Sequence, residues 1–430
     1  MIKEIKSCRL CGGPYFEDII NLGNQYVVDF VETEDNLLSA PLRLVRCVDC
    51  SLVQLKHSVS ANRLFNKFWY KSGISETMRK ALHDIVVNAS NMVDLDNGDR
   101  VLDIGSNDGT LLAMYPHTIF KVGVEPCHEL AKESIEKKRA LAVFPKFFTK
   151  DILLGLDKFK IITAIAMFYD VEDPVKFLRD CRRALADDGV IVIQMNYLYT
   201  MLDNTTIDNI SHEHLTYWTL TTLKKAAAEA VLEIQSVEVN DVNGGSFRVY
   251  LKRKGAKLKG LQGNASHQKE MEVIKMLKRE SEISNWIYNI FRSEVERKVK
   301  ALRQYTYNLV SKGYKVYIYG ASTRGTALLQ VLNMPKGTFI GAAERDMSKF
   351  GLHMVSGMIP IYDEDSCRNN ATHFLVLPYH FKDQILSREK EWLEKGGEFI
   401  FPLPEPFTIN KNAKYPLSDF NRFIAKGGAE

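Results

Sequence analysis

Two cysteine pairs and one histidine–glutamate–histidine run are the residues best placed to do chemistry in this sequence. Cys8 and Cys11 form one CxxC, and Cys47 and Cys50 form a second. Thiolates at that spacing reach a single ion from a tight turn, and two such knuckles complete a closed tetrahedral zinc site. In a reducing compartment a disulfide would not persist; a redox CxxC is the competing reading. The expectation is structural zinc held by Cys8, Cys11, Cys47 and Cys50, which folds a module and leaves no ligand position open. Cys127, Cys181 and Cys367 are scattered.

The run His212-Glu213-His214 lies in DNISHEHLTYW. Zinc-protease helices place their histidines four apart, which brings both onto one face. Histidines two apart share a face only in a strand, so a metal helix is excluded. An acid/base device and a polar turn pinning a loop both remain open on spacing alone.

A third candidate is VLDIGSNDGTLL, residues 101–112, which reads as a strand, a glycine turn and a helix. The dinucleotide fingerprint GxGxxG does not fit it. Asp103 stands two residues before Gly105, and Gly109 follows. A carboxylate there suits a ligand carrying an ammonium group, such as the methionine part of S-adenosylmethionine, and repels pyrophosphate. Glu125 ends the next strand, where a carboxylate can accept both ribose hydroxyls. Asn107, Pro126, Met167 and Phe168 are expected to line the same cofactor. A nucleotide-free α/β turn or an unusual NAD site is the alternative. The Asn/Asp-Pro-Pro-aromatic loop used to methylate exocyclic amines of nucleic acid is missing from MFYDVEDP, residues 167–174.

The elements that must hold these residues read as α/β. From Arg100 onward RVLDIG, KVGVEP, IITAIAMFYD and GVIVIQMN are β-type runs separated by helix-length segments, the pattern of a parallel sheet covered on both faces. Residues 61–98 look helical. Residues 252–264, KRKGAKLKGLQGN, read as a solvated linker or else a phosphate-binding patch. An apolar stripe then predicts one long helix over 268–312, and a second βα series starts at KVYIYGASTRG. The predicted domains are a zinc module at 1–75, a cofactor-binding domain at 76–255 and a C-terminal α/β domain at 256–430. With 430 residues, 45% hydrophobic and 26% charged, the chain reads as a two- or three-domain globular protein. A net charge of +4 does not advertise nucleic acid or membrane as a partner. No signal-peptide pattern and no apolar run of membrane-spanning length is seen, so a cytoplasmic monomer or weak dimer is expected.

Seven segments occurring in order, CRLCG with CVDCSLVQ, YKSGIS, LDIGSNDGTLL, SHEHLTYWTL, NGGSFRVY, YGASTRGTALLQ, and LPYHF with GGEFIFPLPEP, resemble the three-domain sugar C-methyltransferases of bacterial deoxysugar and surface-polysaccharide pathways. The resemblance covers nearly the whole chain. It implies an N-terminal zinc-binding module, a class I methyltransferase Rossmann-like domain holding S-adenosylmethionine, and a second Rossmann-like C-terminal domain. It implies a nucleotide-linked keto-sugar as substrate, taken between the middle and C-terminal domains. Methylating a carbon next to a ketone proceeds through an enolate, so a base must remove the proton there, and the resemblance places that role on His214. Glu213 would orient it or bind a sugar hydroxyl, and Tyr70 would line the site.

For the acceptor, the expected contacts are Asp170, Asn196, Ser211, Gly245, Ser246, Arg248, Gly320, Arg324, Glu344 and His380. The chain departs from the family at two of these, with Ser211 where a tyrosine is common and Asp170 where a histidine is common. In isolation, NGGSFRVY also reads as a bulged strand, YGASTRG as a tight βα connection, and His380 as a packed core residue. Two further readings stay open: a nucleic-acid methyltransferase whose zinc module reads the substrate, and a cofactor-binding scaffold without catalysis.

Overall fold

The computed structural model describes residues 2–35, 37–65, 69–258, 264–412 and 414–417. They form two compact units, and each is built from separated stretches of chain. The first comprises residues 1–18, 45–200 and 213–284; the second comprises 19–44, 201–212 and 285–430.

The first unit is organised on a seven-stranded sheet in the order Leu232–Asn240, Ser246–Arg253, Leu185–Asn196, Phe159–Ile165, Arg100–Ile104, Phe120–Val124, Ala142–Phe144. The last five strands run parallel; the Leu232–Asn240/Ser246–Arg253 hairpin joins Leu185–Asn196 antiparallel. Strands covered on both faces read as continuous apolar runs, and successive side chains feed opposite faces. Leu102, Ile104, Ile162 and Ile191 enter one core, while Val101, Ile161, Val190 and Val192 enter another. Strand order reverses beside Arg100–Ile104, with Phe120–Val124 on one side and Phe159–Ile165 on the other. The crevice outside the carboxyl ends of those strands is where an open α/β sheet takes its ligand.

Helix is more restricted than the sequence suggests. In 61–98 it is confined to Ala61–Phe65 and Glu76–Ser90. The second starts at Ser75, whose hydroxyl accepts from Met78 N at 3.4 Å; residues 66–68 lie outside the described set. The predicted single helix at 268–312 is two helices, Asn264–Glu280 in the first unit and Asn285–Ser311 in the second. Ser281 ends the first by donating its hydroxyl to Lys278 O at 2.6 Å, the local competition that makes serine a poor helix interior. The paired glycines of NGGSFRVY form a turn at Val242–Gly244 between two antiparallel strands, not a bulge, with φ of +81° at Gly244 and +120° at Gly245. Of the stretch 252–264, residues 259–263 lie outside the described residues.

In the second unit, Ile359–Asp363, Ala342–Glu344, Val316–Tyr319, His373–Val376 and Glu398–Phe401 form a parallel sheet in that order. Antiparallel strands extend it at both ends, and one of them, Phe30–Val31, comes from the N-terminal part of the chain and pairs with His353–Met354. Val316–Tyr319 turns at Gly320 into helix Thr323–Leu332, capped by Ser322 accepting from Gly325 N at 3.0 Å. The fold is α/β with two Rossmann-like sheets, as expected. Among the described residues no helix is long and apolar enough to cross a membrane.

Candidate active site

The four cysteines meet in the first unit. Their sulfurs all lie within 4.8 Å of one another, with Cys8 Sγ to Cys50 Sγ at 3.5 Å and Cys11 Sγ to Cys47 Sγ at 3.6 Å. Those separations are too long for a disulfide bond and match the edges of a tetrahedron around an ion about 2.3 Å from each sulfur. Further donors approach one corner: Leu10 N at 3.4 Å and Gln54 Nε2 at 3.1 Å both point at Cys8 Sγ. A donor set of four thiols, three of them buried, fits zinc.

At the switch point of the first sheet, Asp103 closes its strand and accepts from Thr163 Oγ1 at 2.6 Å. Burial pushes its carboxyl up to about 7, and the charge of Glu125 acts in the same direction. The turn that follows keeps its amides to itself. Gly105 N and Ser106 N donate to Val124 O at 2.8 and 3.1 Å, Asn107 N to Glu125 Oε2 at 2.8 Å, and Gly109 N to Ser106 O at 2.9 Å. The helix expected next is a 3₁₀ turn at Leu112–Met114. Asp108 Oδ1 takes both Thr110 N and Thr110 Oγ1, so no row of free amides is offered to a phosphate.

Glycine is required at 105. Its φ is +72°, and a Cβ there would sit 3.0 Å from Met167 Cγ across the crevice. Glu125 is held by two amides, Asn107 N on Oε2 and Cys127 N on Oε1, both at 2.8 Å. Each oxygen keeps a lone pair, which is what a pair of ribose hydroxyls needs. Half-buried Pro126 follows it. Asn107 reaches the other way and clasps the YKSG turn: its Oδ1 accepts from Ser72 N at 3.0 Å and its Nδ2 donates to Tyr70 O at 2.9 Å. Gly73 N adds a bond to Asp108 Oδ2 at 3.2 Å. Tyr70 is thereby tied to the cofactor turn with its side chain 41% exposed. Carboxylates buried at two strand ends, and a turn whose amides at 105, 106, 107, 109 and 110 are already taken, fit S-adenosylmethionine better than a dinucleotide.

The residues after Phe159–Ile165 bring the HEH segment to the same end of the sheet. Thr216 Oγ1 donates to Tyr169 O at 3.1 Å and accepts from Trp218 Nε1 at 2.8 Å. Thr216–Tyr217 pairs antiparallel with Val53–Leu55, the strand just past Cys50, and Leu55 N bonds Leu215 O at 2.9 Å. Held from both sides, His214 places its ring 4.2 Å from that of Tyr169, and Asp170 lies within electrostatic reach of Glu213. Asn196 closes the neighbouring strand and pairs in register with Ser246.

Several expected contacts do other work. Phe168 is fully buried against Trp218 and Phe177, at 5.1 and 5.5 Å, so its ring belongs to the core. Arg248 is 2% exposed and ties sheet to helix, with Nε on Gln194 Oε1 at 2.8 Å and Nη1 on Asp84 Oδ2 at 2.8 Å. Ser246 gives its hydroxyl to Val242 O at 2.8 Å. Gly245 lets the turn approach Thr200, whose Cγ2 would lie 2.2 Å from a Cβ. His212 is buried with Nε2 3.1 Å from Ala40 O.

Ser211, Gly320, Arg324, Glu344 and His380 fall in the second unit. Arg324 Nη2 is 2.7 Å from Asp208 Oδ2, and the same carboxylate accepts from Tyr379 OH at 2.8 Å, with His380 Nε2 3.9 Å away. Burial drives His380 well below the ordinary histidine range. Glu344, expected to face a ribose, accepts from Arg345 N at 2.7 Å and Asp346 N at 3.1 Å and pairs with Lys349 Nζ at 3.3 Å. Tyr169, Gln54, Thr216 and Asp208 are the participants that sequence reasoning did not name, although each stood in a segment already singled out: Tyr169 in MFYDVEDP, Gln54 in CVDCSLVQ, and Asp208 and Thr216 in DNISHEHLTYW.

Three family models match the chain in succession: a zinc binding domain over residues 8–65, a methyltransferase domain over 74–237, and a C-methyltransferase C-terminal domain over 241–404. C-methyltransferase NovU of Streptomyces niveus is 26% identical over 423 residues, spanning 95% of this chain and 98% of NovU. Among solved structures, an S-adenosylmethionine-dependent methyltransferase from Clostridium acetobutylicum is 14% identical at a TM-score of 0.34, covering 41% of this chain and 92% of that one. YcgJ from Bacillus subtilis is 17% identical at a TM-score of 0.33, covering 41% and 99%. The methyltransferase model makes S-adenosylmethionine the cofactor, and the zinc binding model over the four-cysteine cluster makes zinc the metal. With all three domains matched in this order, the chain is an S-adenosylmethionine-dependent methyltransferase that joins a zinc binding domain, a methyltransferase domain and a C-methyltransferase C-terminal domain.

Proposed function

We propose that this enzyme methylates carbon next to the ketone of a nucleotide-linked keto-sugar, through an enolate generated by His214. The observation that carries the reading is the placement of His214 and Glu213 beside Tyr169 and Asp170, at the carboxyl end of the strand flanking the Asp103–Gly105 turn. The bound cofactor supplies an electrophilic methyl on a sulfonium. His214 takes the α-proton, the general-base role that histidine fills most often. Glu213 fixes its ring or holds a sugar hydroxyl. Asp103 and Glu125 seat the cofactor, and the YKSG turn, clasped by Asn107, brings Tyr70 to its rim. Support for a nucleotide-linked substrate comes from the second strand-to-helix turn, at Gly320.

The test is a panel of nucleotide-linked 4-keto-sugars incubated in deuterated water, with α-proton exchange read by mass spectrometry in the absence of methyl donor. Labelled donor then locates the methyl group. His214→Asn should slow both exchange and turnover about 10²- to 10⁴-fold, the usual contribution of a positioned base, while S-adenosylmethionine binds as before. Full exchange by His214→Asn refutes the assignment.

A further inference from the structure

Asp170 has a property that a mere sugar contact would not need. It ends the 3₁₀ turn Phe168–Asp170, whose backbone closes by Asp170 N donating to Met167 O at 3.0 Å. Met167 is the side chain that a Cβ at Gly105 would strike, so this turn borders the cofactor crevice. On the other side the turn is bonded to the HEH segment through Thr216 and Tyr169. Asp170 Oδ1 is sealed from solvent and meets no hydrogen-bond donor among the described residues. A buried carboxylate oxygen left without a donor is destabilised in its charged form, and the charge acting on it is the like charge of Glu213. His214 and Tyr169 are the other titratable groups at this corner, and no lysine or arginine is among the charges that act on Asp170. Two carboxyls in such a corner do not both ionise. Burial drives Asp170 well above the ordinary carboxylate range, with Glu213 adding to the rise.

Resting on the enolate reading above, we propose that Asp170 is a catalytic residue that acts as a neutral carboxylic acid and donates a hydrogen bond to the acceptor's carbonyl oxygen. The step balances without any further reactant. The α-carbon's C–H bond breaks, its proton goes to His214, and its electron pair becomes the C=C bond. The carbonyl π pair moves onto oxygen, which accepts from the Asp170 O–H. Return of the proton from His214 reverses every change. A carboxyl kept protonated by an apolar site is a known way to hold an enolate oxygen, and donors aimed at developing charge carry much of an enzyme's rate. The division of labour is then set by environment: of two neighbouring carboxyls, Glu213 serves as the anion beside the base and Asp170 as the acid.

The experiment measures α-proton exchange of the full-length zinc-loaded enzyme with the same keto-sugar panel, across pH, for wild type, Asp170→Ala and Asp170→Asn. Asp170→Ala should lose about 10²- to 10³-fold in exchange, the scale for removing one oxyanion donor. Asp170→Asn keeps a neutral donor of the same shape and should stay within about 10-fold of wild type, by the same scale. Wild-type exchange should fall at high pH as the acid ionises, and Asp170→Asn should lose that falling limb. Thermal melting and S-adenosylmethionine calorimetry run alongside, and both variants should match wild type. An Asn variant as damaged as the Ala variant overturns the proposal, because it would mean that a carboxylate is required. So does an Ala variant that exchanges normally, and that result leaves the role of His214 standing. A wild-type enzyme that exchanges none of the panel overturns the enolate reading and this proposal with it.

Discussion

Replacing Gln54 with leucine should loosen zinc while sparing the cofactor. Gln54 is fully buried in the strand Val53–Leu55, paired in register with Thr216. Its Nε2 donates to Cys8 Sγ at 3.1 Å, and its Oε1 accepts from Arg9 N at 3.1 Å and Arg9 Nη1 at 3.3 Å. Leucine has nearly the same volume, so the strand pairing and the packing survive and only the polar contacts go. The Arg9 guanidinium keeps Leu55 O and Ser58 Oγ, both at 2.8 Å. The loss from that side therefore falls on one orphaned backbone N–H, about 1–3 kcal/mol of stability. The loss from the other side falls on the thiolate, and removing an outer donor of this kind weakens metal binding about 10- to 100-fold, equivalent to about 1.4–2.8 kcal/mol. Competition of the purified protein with a chromophoric chelator reads that shift directly, and calorimetry with S-adenosylmethionine should be unchanged because neither Asp103 nor Glu125 touches Gln54. A Gln54→Leu protein that holds zinc within twofold of wild type would refute the reasoning, since the side chain would then be packing alone.

Two other outcomes follow from buried carboxyls. Asp103, with its carboxyl up at about 7, favours its protonated form in the folded protein. Its contribution to stability is therefore full below about pH 4, the unfolded value, and is lost as pH rises through 7. The ammonium group of the cofactor favours the ionised form instead, so binding should tighten between pH 6 and 8 and release a proton. Calorimetry in two buffers of different ionisation enthalpy counts that proton; its absence, or an unchanged pH dependence in Asp103→Asn, counts against the assignment. Glu280 accepts Tyr197 OH at 2.9 Å, Leu220 N at 2.6 Å, Thr221 N at 2.7 Å and Thr221 Oγ1 at 2.5 Å, so it caps helix Leu220–Glu229 from a neighbouring helix. Glu280→Ala should cost about 3–5 kcal/mol in denaturant titrations, from two orphaned amides and the lost charge-assisted bonds; a loss under about 1 kcal/mol would show that water replaces the carboxylate there.

What could be read from the sequence was chemistry written at short range. Paired CxxC spacing identifies the metal because ligand type and reach are both local, and Asp103 and Glu125 could be placed at neighbouring strand ends because such ends announce themselves in alternating βα segments. Residue type failed where the partner lay far along the chain. Nothing near Arg248 shows that Asp84 and Gln194 will claim it, and nothing near Phe168 shows Trp218 waiting. The break at Ser281 was invisible to periodicity because an apolar stripe continues through it on paper; the two helices carrying that stripe belong to different units. Asp208 sits four residues before His212, yet its role depends on Arg324 and Tyr379, more than a hundred residues on.

The interleaving of the two units has a consequence for how the enzyme is made. The chain passes from one unit to the other at 18/19, 44/45, 200/201, 212/213 and 284/285. All of the first unit's residues have left the ribosome once residue 284 has emerged, whereas residues 19–44 and 201–212 must wait for partners that are translated later. Phe30–Val31 has no strand to pair with until His353–Met354 is made, and Asp208 has no cation or phenol until Arg324 and Tyr379 are made. Contacts spanning such distances in sequence fold slowly and leave strand edges open in the meantime. No single cut in the gene releases both units intact, and a premature stop in the last third yields a chain whose residues leading into His212 lack their packing partners.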